Sequence, residues 1–267
     1  MQALRHYLLA VQFFTRIPVT GRLAAWVGYS PAMLRAASAH FPGVGWLAGA
    51  LAALVYGALA VAMGPGPFAP AVAAALSTAA TVLMTGGFHE DGLADVADGL
   101  GGAYQRERAL EIMKDSRIGA FGAMALTLAL LAKVALLAHL GSHGLPAALW
   151  ALAGAHTLSR LWPLVIVRAL PHVGDSATSK SKPLADQISL PALAVATAWC
   201  LPPLALVYQA LGARALMASM LCSALGAAWL GWRFARRLQG FTGDCLGAAQ
   251  QVAEIGFYLG AALALAR

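Results

Sequence analysis

Seven long apolar stretches constrain the fold of this chain more than any other feature. Each has about 17 to 23 residues, the length that an α-helix needs to cross a hydrocarbon core of about 30 Å. They lie at residues 43–63, 71–87, 119–140, 146–168, 190–211, 215–232 and 246–266. Charged residues make up only 11% of the chain, whereas a soluble domain carries about 25%. The sequence therefore predicts an all-α, polytopic integral membrane protein with about seven transmembrane helices, in a single membrane-embedded domain covering residues 1–267.

The basic residues predict how the chain is oriented in the membrane. Fourteen of the 18 lysines and arginines lie before the first apolar stretch or in every second loop after it. By the positive-inside rule these segments, and the N-terminus, face the cytoplasm. Seven crossings then put the C-terminus outside. The net charge of +7 fits loops that face an anionic leaflet, and it does not indicate a nucleic acid partner.

A shorter apolar segment, residues 8–14, precedes the first long stretch. It is flanked by Arg5 and Arg16 and is too short to span a bilayer. We expect it to form an N-terminal helix that lies in the membrane interface.

The acidic residues crowd the same side of the membrane. Ten of the eleven lie in or beside the predicted cytoplasmic loops, and only Glu254 falls inside an apolar stretch. The positive-inside rule does not govern acidic residues, so their one-sided distribution needs another cause. A polar site at the cytoplasmic face would supply it.

The strongest candidate for that site is the run of aspartates within residues 88–99. Asp91, Asp95 and Asp98 are spaced i, i+4, i+7, which places all three on one face of a helix. Oxygen ligands of this kind suit the hard cation Mg²⁺, which usually leaves positions for substrate phosphates. The alternative is a solvated acidic helix start that the helix dipole favours.

A second candidate segment, residues 113–122, precedes the third long stretch. Lys114 and Arg117 are suited to hold phosphates, Arg by its bidentate fork and Lys as a point charge. Asp115 or Ser116 could cap the helix that follows. The alternative is an ordinary positive-inside anchor.

Two further segments carry polar residues next to or inside apolar stretches. His156 and Arg160 lie one helical turn apart, which predicts either a substrate-binding pair or a structural ion pair with Glu254 or one of the aspartates. In residues 240–248, Thr242 and Gly243 open the last stretch, where free backbone N–H groups could hold an anion. Asp244 would complete the metal site, orient a nucleophile or simply cap the helix.

The polar segment 174–187 allows two readings. It carries several serines, a threonine and two lysines. It is either a mobile loop or a lid that grips phosphate, and the sequence does not decide between them.

These segments together resemble the cobalamin synthase family, the adenosylcobinamide-GDP ribazoletransferases. The similarity lies in residues 14–19, 89–99, 113–122 and 240–248, spread over nearly the whole chain. The resemblance implies an enzyme of the bacterial inner membrane that uses Mg²⁺. It joins adenosylcobinamide-GDP to α-ribazole or its 5′-phosphate, and GMP leaves. It also implies a multi-pass protein for which other cobalamin-assembly enzymes are candidate partners. The charge distribution predicts that the active site faces the cytoplasm.

Physical reasoning and the resemblance agree on displacement at a diphosphate. We expect Mg²⁺ on Asp91, Asp95 and Asp98 to bridge the diphosphate, and Glu90 or Asp244 to accept a proton from the attacking hydroxyl. The residues expected to contact phosphate or substrate are Lys114, Arg117, His156, Arg160, Thr242 and Gly243.

Two other functions stay open at this stage. A small-solute transporter would explain the charged residues in the apolar stretches, and a CDP-alcohol-type lipid synthase would explain spaced aspartates at a membrane. Glycine- and alanine-rich stretches such as residues 43–63 also allow close helix packing and a homo-oligomer.

Overall fold

The computed structural model describes residues 1–174 and 188–266, and in this part of the chain every regular element is helical. The first six helices and a 3₁₀ turn are α1 Gln2–Phe14, α2 Gly21–Val27, α3 Pro31–Ala37, the turn Ser38–His40, α4 Phe41–Met63, α5 Ala69–Thr85 and α6 Phe88–Gly102. The other six are α7 Arg106–Ile112, α8 Ala120–Ser142, α9 Leu145–Leu158, α10 Trp162–Ala169, α11 Leu190–Arg237 and α12 Gly243–Leu265. The predicted all-α class is confirmed.

Three helical segments are long and apolar enough to cross a membrane. They are Pro31–Met63, Ala120–Ser142 and Leu190–Arg237. A fourth crossing is possible if α5 and α6, which meet at an angle of 91°, form one broken span. The predicted number of seven is therefore not confirmed, although the membrane-protein character is.

The predicted spans differ from the helices in two informative places. The stretch 146–168 is not one helix but two, because a turn at residues 159–161 separates α9 from α10 and Pro163 follows it. By contrast, two predicted spans are joined in α11, which Gly212 interrupts with a φ of 82°. The two halves of α11 correspond to the predicted stretches 190–211 and 215–232.

The N-terminal helix α1 packs against the bundle with one of its faces. Leu9, Val11 and Phe14 are buried, while the opposite face is exposed. The Phe14 ring stacks on Phe41 with 4.1 Å between centroids, which holds the end of α1 against the start of α4.

Helix α12 forms the centre of the bundle. It packs against α6, α8, α9 and, most extensively, α11. Most of its residues are buried, although the helix carries several polar side chains. These side chains must therefore be satisfied inside the protein.

A buried group of polar side chains, which we call the Glu254 cluster, meets this requirement. Its members are Glu90 of α6, Lys133 of α8, His156 of α9, Arg160 of the turn after α9, and Gln250, Gln251, Glu254 and Tyr258 of α12. All of them are less than 9% exposed.

Glu254 is the most heavily bonded member of the cluster. Lys133 Nζ lies 3.1 Å from Glu254 Oε1, and the Tyr258 hydroxyl donates to the same oxygen at 3.2 Å. Gln250 Nε2 donates to Glu254 Oε2 at 2.8 Å, and His156 Nδ1 lies 3.7 Å from that oxygen. The carboxylate therefore ties α8 and α9 to α12.

Gln251 carries the cluster on to α6. Its Oε1 accepts from Lys133 Nζ at 2.9 Å, and its Nε2 donates to Glu90 Oε1 at 3.0 Å. Polar contacts thus connect α6, α8, α9 and α12 through the core of the bundle.

Removing one partner of the central ion pair should destabilise the bundle strongly. Lys133→Met removes the cation that lies 3.1 Å from the buried Glu254 carboxylate, and we expect a loss of about 3–5 kcal/mol in unfolding free energy. Unfolding in mixed micelles, followed by tryptophan fluorescence, measures it.

The matched control removes both charges. We expect Lys133→Met combined with Glu254→Gln to cost less than the sum of the two single losses, because the two charges stabilise each other. Simple addition of the two single losses would contradict this account of the cluster.

Candidate functional site

Helix α6 carries the aspartate run and is set at an angle to α5 by two glycines. Gly86 and Gly87 have φ values of 73° and 72°, a conformation that glycine adopts without strain. Asp91 is exposed and Asp95 is half-buried on the resulting helix. The predicted common face of these two carboxylates is confirmed.

Asp244 joins them from the start of α12. Thr242 is the N-cap of this helix, since its Oγ1 accepts from the Cys245 amide at 3.4 Å. Asp244 is therefore not the cap but a first-turn residue, and Gly243 is the first residue of the helix.

Gly92 allows α12 to approach the aspartates. A Cβ at residue 92 would lie 2.7 Å from the Asp244 carbonyl oxygen and 3.0 Å from its Cα, so only glycine fits there. Gly92 lies between Asp91 and Asp95 in the helix. The Asp244 backbone therefore packs directly beside both of them.

Burial and neighbouring carboxylates raise the pKa values of Asp95 and Asp244. Burial and the charges of Asp244, Asp91 and Asp98 raise the pKa of Asp95 to about 7. Burial, and then the charge of Asp91, also raises the pKa of Asp244. A bound cation would relieve this repulsion, which is the electrostatic mark of a cation site.

The donor set fits Mg²⁺ better than a softer metal. Carboxylate oxygens are the ligands available at this face, and Mg²⁺ commonly uses one or two of them together with waters and substrate phosphates. Among the described residues, no three His, Cys, Asp or Glu side chains already form a ligand group. The side chains alone therefore do not form a closed cage, and the Mg²⁺ site stays a prediction.

Asp98 has a different environment from the other two aspartates. Its Oδ2 accepts from the Gly119 amide at 2.7 Å, and its Oδ1 accepts from the Gly122 amide at 2.8 Å. These amides are at the start of α8, and a side chain at either glycine would overlap the carboxylate. Asp98 thus caps α8 and neutralises the positive end of its dipole. This geometry favours a structural role over the predicted metal ligation.

Glu90, His156 and Arg160 are in the interior and not beside the exposed aspartates. Glu90 belongs to the Glu254 cluster through Gln251, and Arg160 Nη1 donates to the His156 carbonyl at 2.7 Å. Arg160 is 2% exposed. Of the two readings for His156 and Arg160, this placement favours structural pairing around Glu254 over contact with substrate.

Lys114 and Arg117 lie on the exposed surface next to α6. Arg117 forms an ion pair with Asp115 at 2.6 Å, and this hydrogen bonding lowers the pKa of Asp115 to about 2. The segment also packs on α6, because Asp98 binds its Gly119. A substrate phosphate could compete with Asp115 for Arg117.

Sequence reasoning assigned no site role to Arg16. Its amide donates to the Met84 carbonyl at 2.7 Å, and its exposed side chain lies against Gly86 at the turn into α6. The only sequence signal was its position in the segment 14–19. The contact between the end of α1 and the α5–α6 turn is long-range, so the fold was needed to reveal it.

The polar segment 174–187, for which the sequence left two readings open, lies outside the described residues except for Gly174.

Comparison with known proteins decides the family. The chain matches the family described as cobalamin-5-phosphate synthase over residues 6–262. The chain belongs to the cobalamin-5-phosphate synthase family. No solved structure matches it.

Named relatives agree with this membership. A Polaromonas sp. (strain JS666) protein named adenosylcobinamide-GDP ribazoletransferase is 63% identical, with 99% of this chain and 98% of that protein covered. A Vibrio cholerae protein of the same name is 45% identical, with 95% and 91% covered. The prediction of a transferase of cobalamin assembly is confirmed, and the transporter and lipid-synthase alternatives are set aside. The charges that favoured a transporter are now explained by the Glu254 cluster.

Two substitutions in α6 distinguish Asp91, a proposed site residue, from Asp98, which caps α8. We expect Asp91→Asn to abolish turnover with little change in unfolding free energy, because the exposed carboxylate has no hydrogen-bond or ion-pair partner among the described residues. Asp98→Asn should cost about 1–3 kcal/mol, because its amide cannot accept from both backbone N–H groups. Unfolding in micelles and turnover are measured on both variants. The reverse pattern would make Asp98 the site residue.

The close approach at Gly92 is expected to matter for activity. In Gly92→Ala the new methyl group pushes Asp244 away from Asp91 and Asp95, and we expect kcat/KM to fall at least about tenfold. Gly102→Ala in the same helix is the control, since its Cβ would meet only Ile112 at 3.5 Å. Equal activity in the two variants would show that Asp244 is not part of the site.

Proposed function

We propose that this chain joins adenosylcobinamide-GDP to α-ribazole or its 5′-phosphate, releases GMP and forms adenosylcobalamin or its 5′-phosphate. The observation that carries the proposal is the meeting of Asp91, Asp95 and Asp244 where α6 packs against α12. The family membership of the chain supports the choice of substrates.

Asp91 and Asp95 are the residues that would hold Mg²⁺. When bound, the metal would neutralise charge on the diphosphate and on the departing GMP. Asp98 was predicted as a third ligand, but both of its carboxylate oxygens accept hydrogen bonds from backbone amides at the start of α8.

Asp244 is the proposed proton acceptor. An oxygen of a ribazole hydroxyl forms a bond to the phosphorus nearer cobinamide, the bond from that phosphorus to the GMP oxygen breaks, and the hydroxyl proton passes to Asp244. Asp244 suits this role because its backbone packs against Gly92, next to Asp91 in α6. Glu90, the other predicted acceptor, is buried and engaged by Gln251.

Surface cations near the aspartates would hold the substrate's phosphates. Lys114, Arg117 and Arg16 are exposed and lie on segments that contact α6. Arginine suits this role because its guanidinium binds phosphate oxygens in pairs. Thr242 and Gly243, at the start of α12 next to Asp244, would contact the substrate from that helix.

The test is GMP release by purified protein in detergent. With adenosylcobinamide-GDP and α-ribazole, we expect GMP in the presence of Mg²⁺ and none after chelation. Asp95→Asn should remove the activity, whereas Arg22→Gln, a surface change in α2, should keep it. Full Mg²⁺-dependent release by a folded Asp95→Asn variant would overturn the metal assignment.

The finer membrane topology is also a proposal. Seven crossings would place the N-terminus and the aspartates on the cytoplasmic side of the inner membrane and residue 267 outside. An alkaline phosphatase fused to the C-terminus should then be active, and a fluorescent protein fused there should be dark. The opposite result would mean an even number of crossings.

A homo-oligomer and contacts with other cobalamin-assembly enzymes stay predictions.

A further inference from the structure

A small cleft lined by aromatic side chains opens beside the aspartates. Its walls include the rings of Phe13, Phe14, Phe41, Phe88 and His89. The rings touch one another as a cluster: Phe88 meets Phe13 and Phe14 edge to face at 6.2 and 6.3 Å between centroids. Aromatic rings therefore form one part of the wall, and Pro163, Leu164, Val167 and Leu246 add aliphatic surface to the rest.

The cleft contains one buried polar atom without a partner. His89 is 2% exposed and its ring lies parallel to Phe41, 5.8 Å away. Its Nε2 has no hydrogen-bond partner within the described residues. Leaving a buried nitrogen unpaired costs free energy, so a ligand atom that bonds to it would bind favourably.

The cleft adjoins the proposed reaction site. Gly243 and Gly247 of α12 form part of its wall, and Gly243 directly precedes Asp244. Phe88 lies one turn before Asp91 and is 41% exposed at the mouth. A molecule held in the cleft could therefore place an attached group beside Asp91 and Asp244.

The geometry points to a binding site for the aromatic base of the nucleoside acceptor. This inference rests on the proposed function, which supplies a ribazole substrate with a flat bicyclic base. The base would stack on the phenylalanine rings, and its ring nitrogen that is not bonded to the sugar would accept a hydrogen bond from His89 Nε2. The ribose hydroxyl would then lie at the aspartates.

The cleft must widen to admit the base. Its free volume of about 40 Å³ is little more than the ~30 Å³ that one water takes in the liquid. Phe88 at the mouth is the exposed ring of the cluster, and side-chain rotation of this kind is common on ligand binding. The base is favoured over a lipid chain because an acyl chain has no atom to bond to His89.

The experiment compares the two substrates separately. We expect His89→Phe, which keeps a ring but removes the nitrogen, and Phe88→Ala, which removes a stacking partner, each to raise the KM for α-ribazole roughly tenfold. The KM for adenosylcobinamide-GDP should stay within about twofold. Phe68→Ala, an exposed phenylalanine before α5, is the control and should leave both KM values unchanged.

A measurement of α-ribazole binding in the absence of turnover tests this inference independently of the proposed function. Isothermal titration of the detergent-solubilised protein with α-ribazole, with chelator present, should show binding that benzimidazole displaces and that His89→Phe weakens. If GMP release fails but this binding persists, only the proposed reaction is wrong. If α-ribazole binds equally to wild type and both variants, or if a fatty acid and not benzimidazole displaces it, the cleft is not the base site.

Discussion

The ion pair between Lys133 and Glu254 is the interaction on which the arrangement of the bundle depends. A charge inside a membrane protein needs a partner, and these two side chains are almost completely buried. Glu254 lies at the middle of α12, so its bonds to Lys133 and His156 set the rotation of that helix against α8 and α9. The rotation in turn determines which way Asp244, about three turns earlier, faces.

The same network explains why α6 contains two kinds of acidic residue. Glu90 is adjacent to Asp91 in sequence, yet it points into the core and accepts from Gln251. Asp98 shares a helical face with Asp91 and Asp95, but the start of α8 covers that end of the face. In the described part of the chain, Asp91 is exposed and Asp95 is half-buried. Helix α6 therefore contributes both to the packing of the bundle and to the proposed reaction.

The site also depends on glycines that let neighbouring helices approach each other closely. Gly92 lets the backbone of Asp244 pack against α6 next to Asp91, and Gly119 and Gly122 allow Asp98 to reach two amides. The aromatic cleft ends at Gly243 and Gly247. Glycines at these contacts let helices meet without intervening side chains, so the reacting groups can come from different helices.

The sequence by itself determined the all-helical membrane class, the approximate bounds of α4, α5, α8 and α12, the aspartate face of α6 and the family. These features depend on local periodicity, on the length of apolar stretches and on contiguous motifs, all of which are visible in a linear chain. Only the tertiary structure decided that α9 and α10 are separate and that Asp98 is a cap. It also showed that His156 and Arg160 lie near Glu254 and that Arg16 contacts the turn between α5 and α6. Each of these depends on contacts between residues far apart in sequence. Spacing along one helix shows which residues share a face, but not which neighbouring helix covers that face.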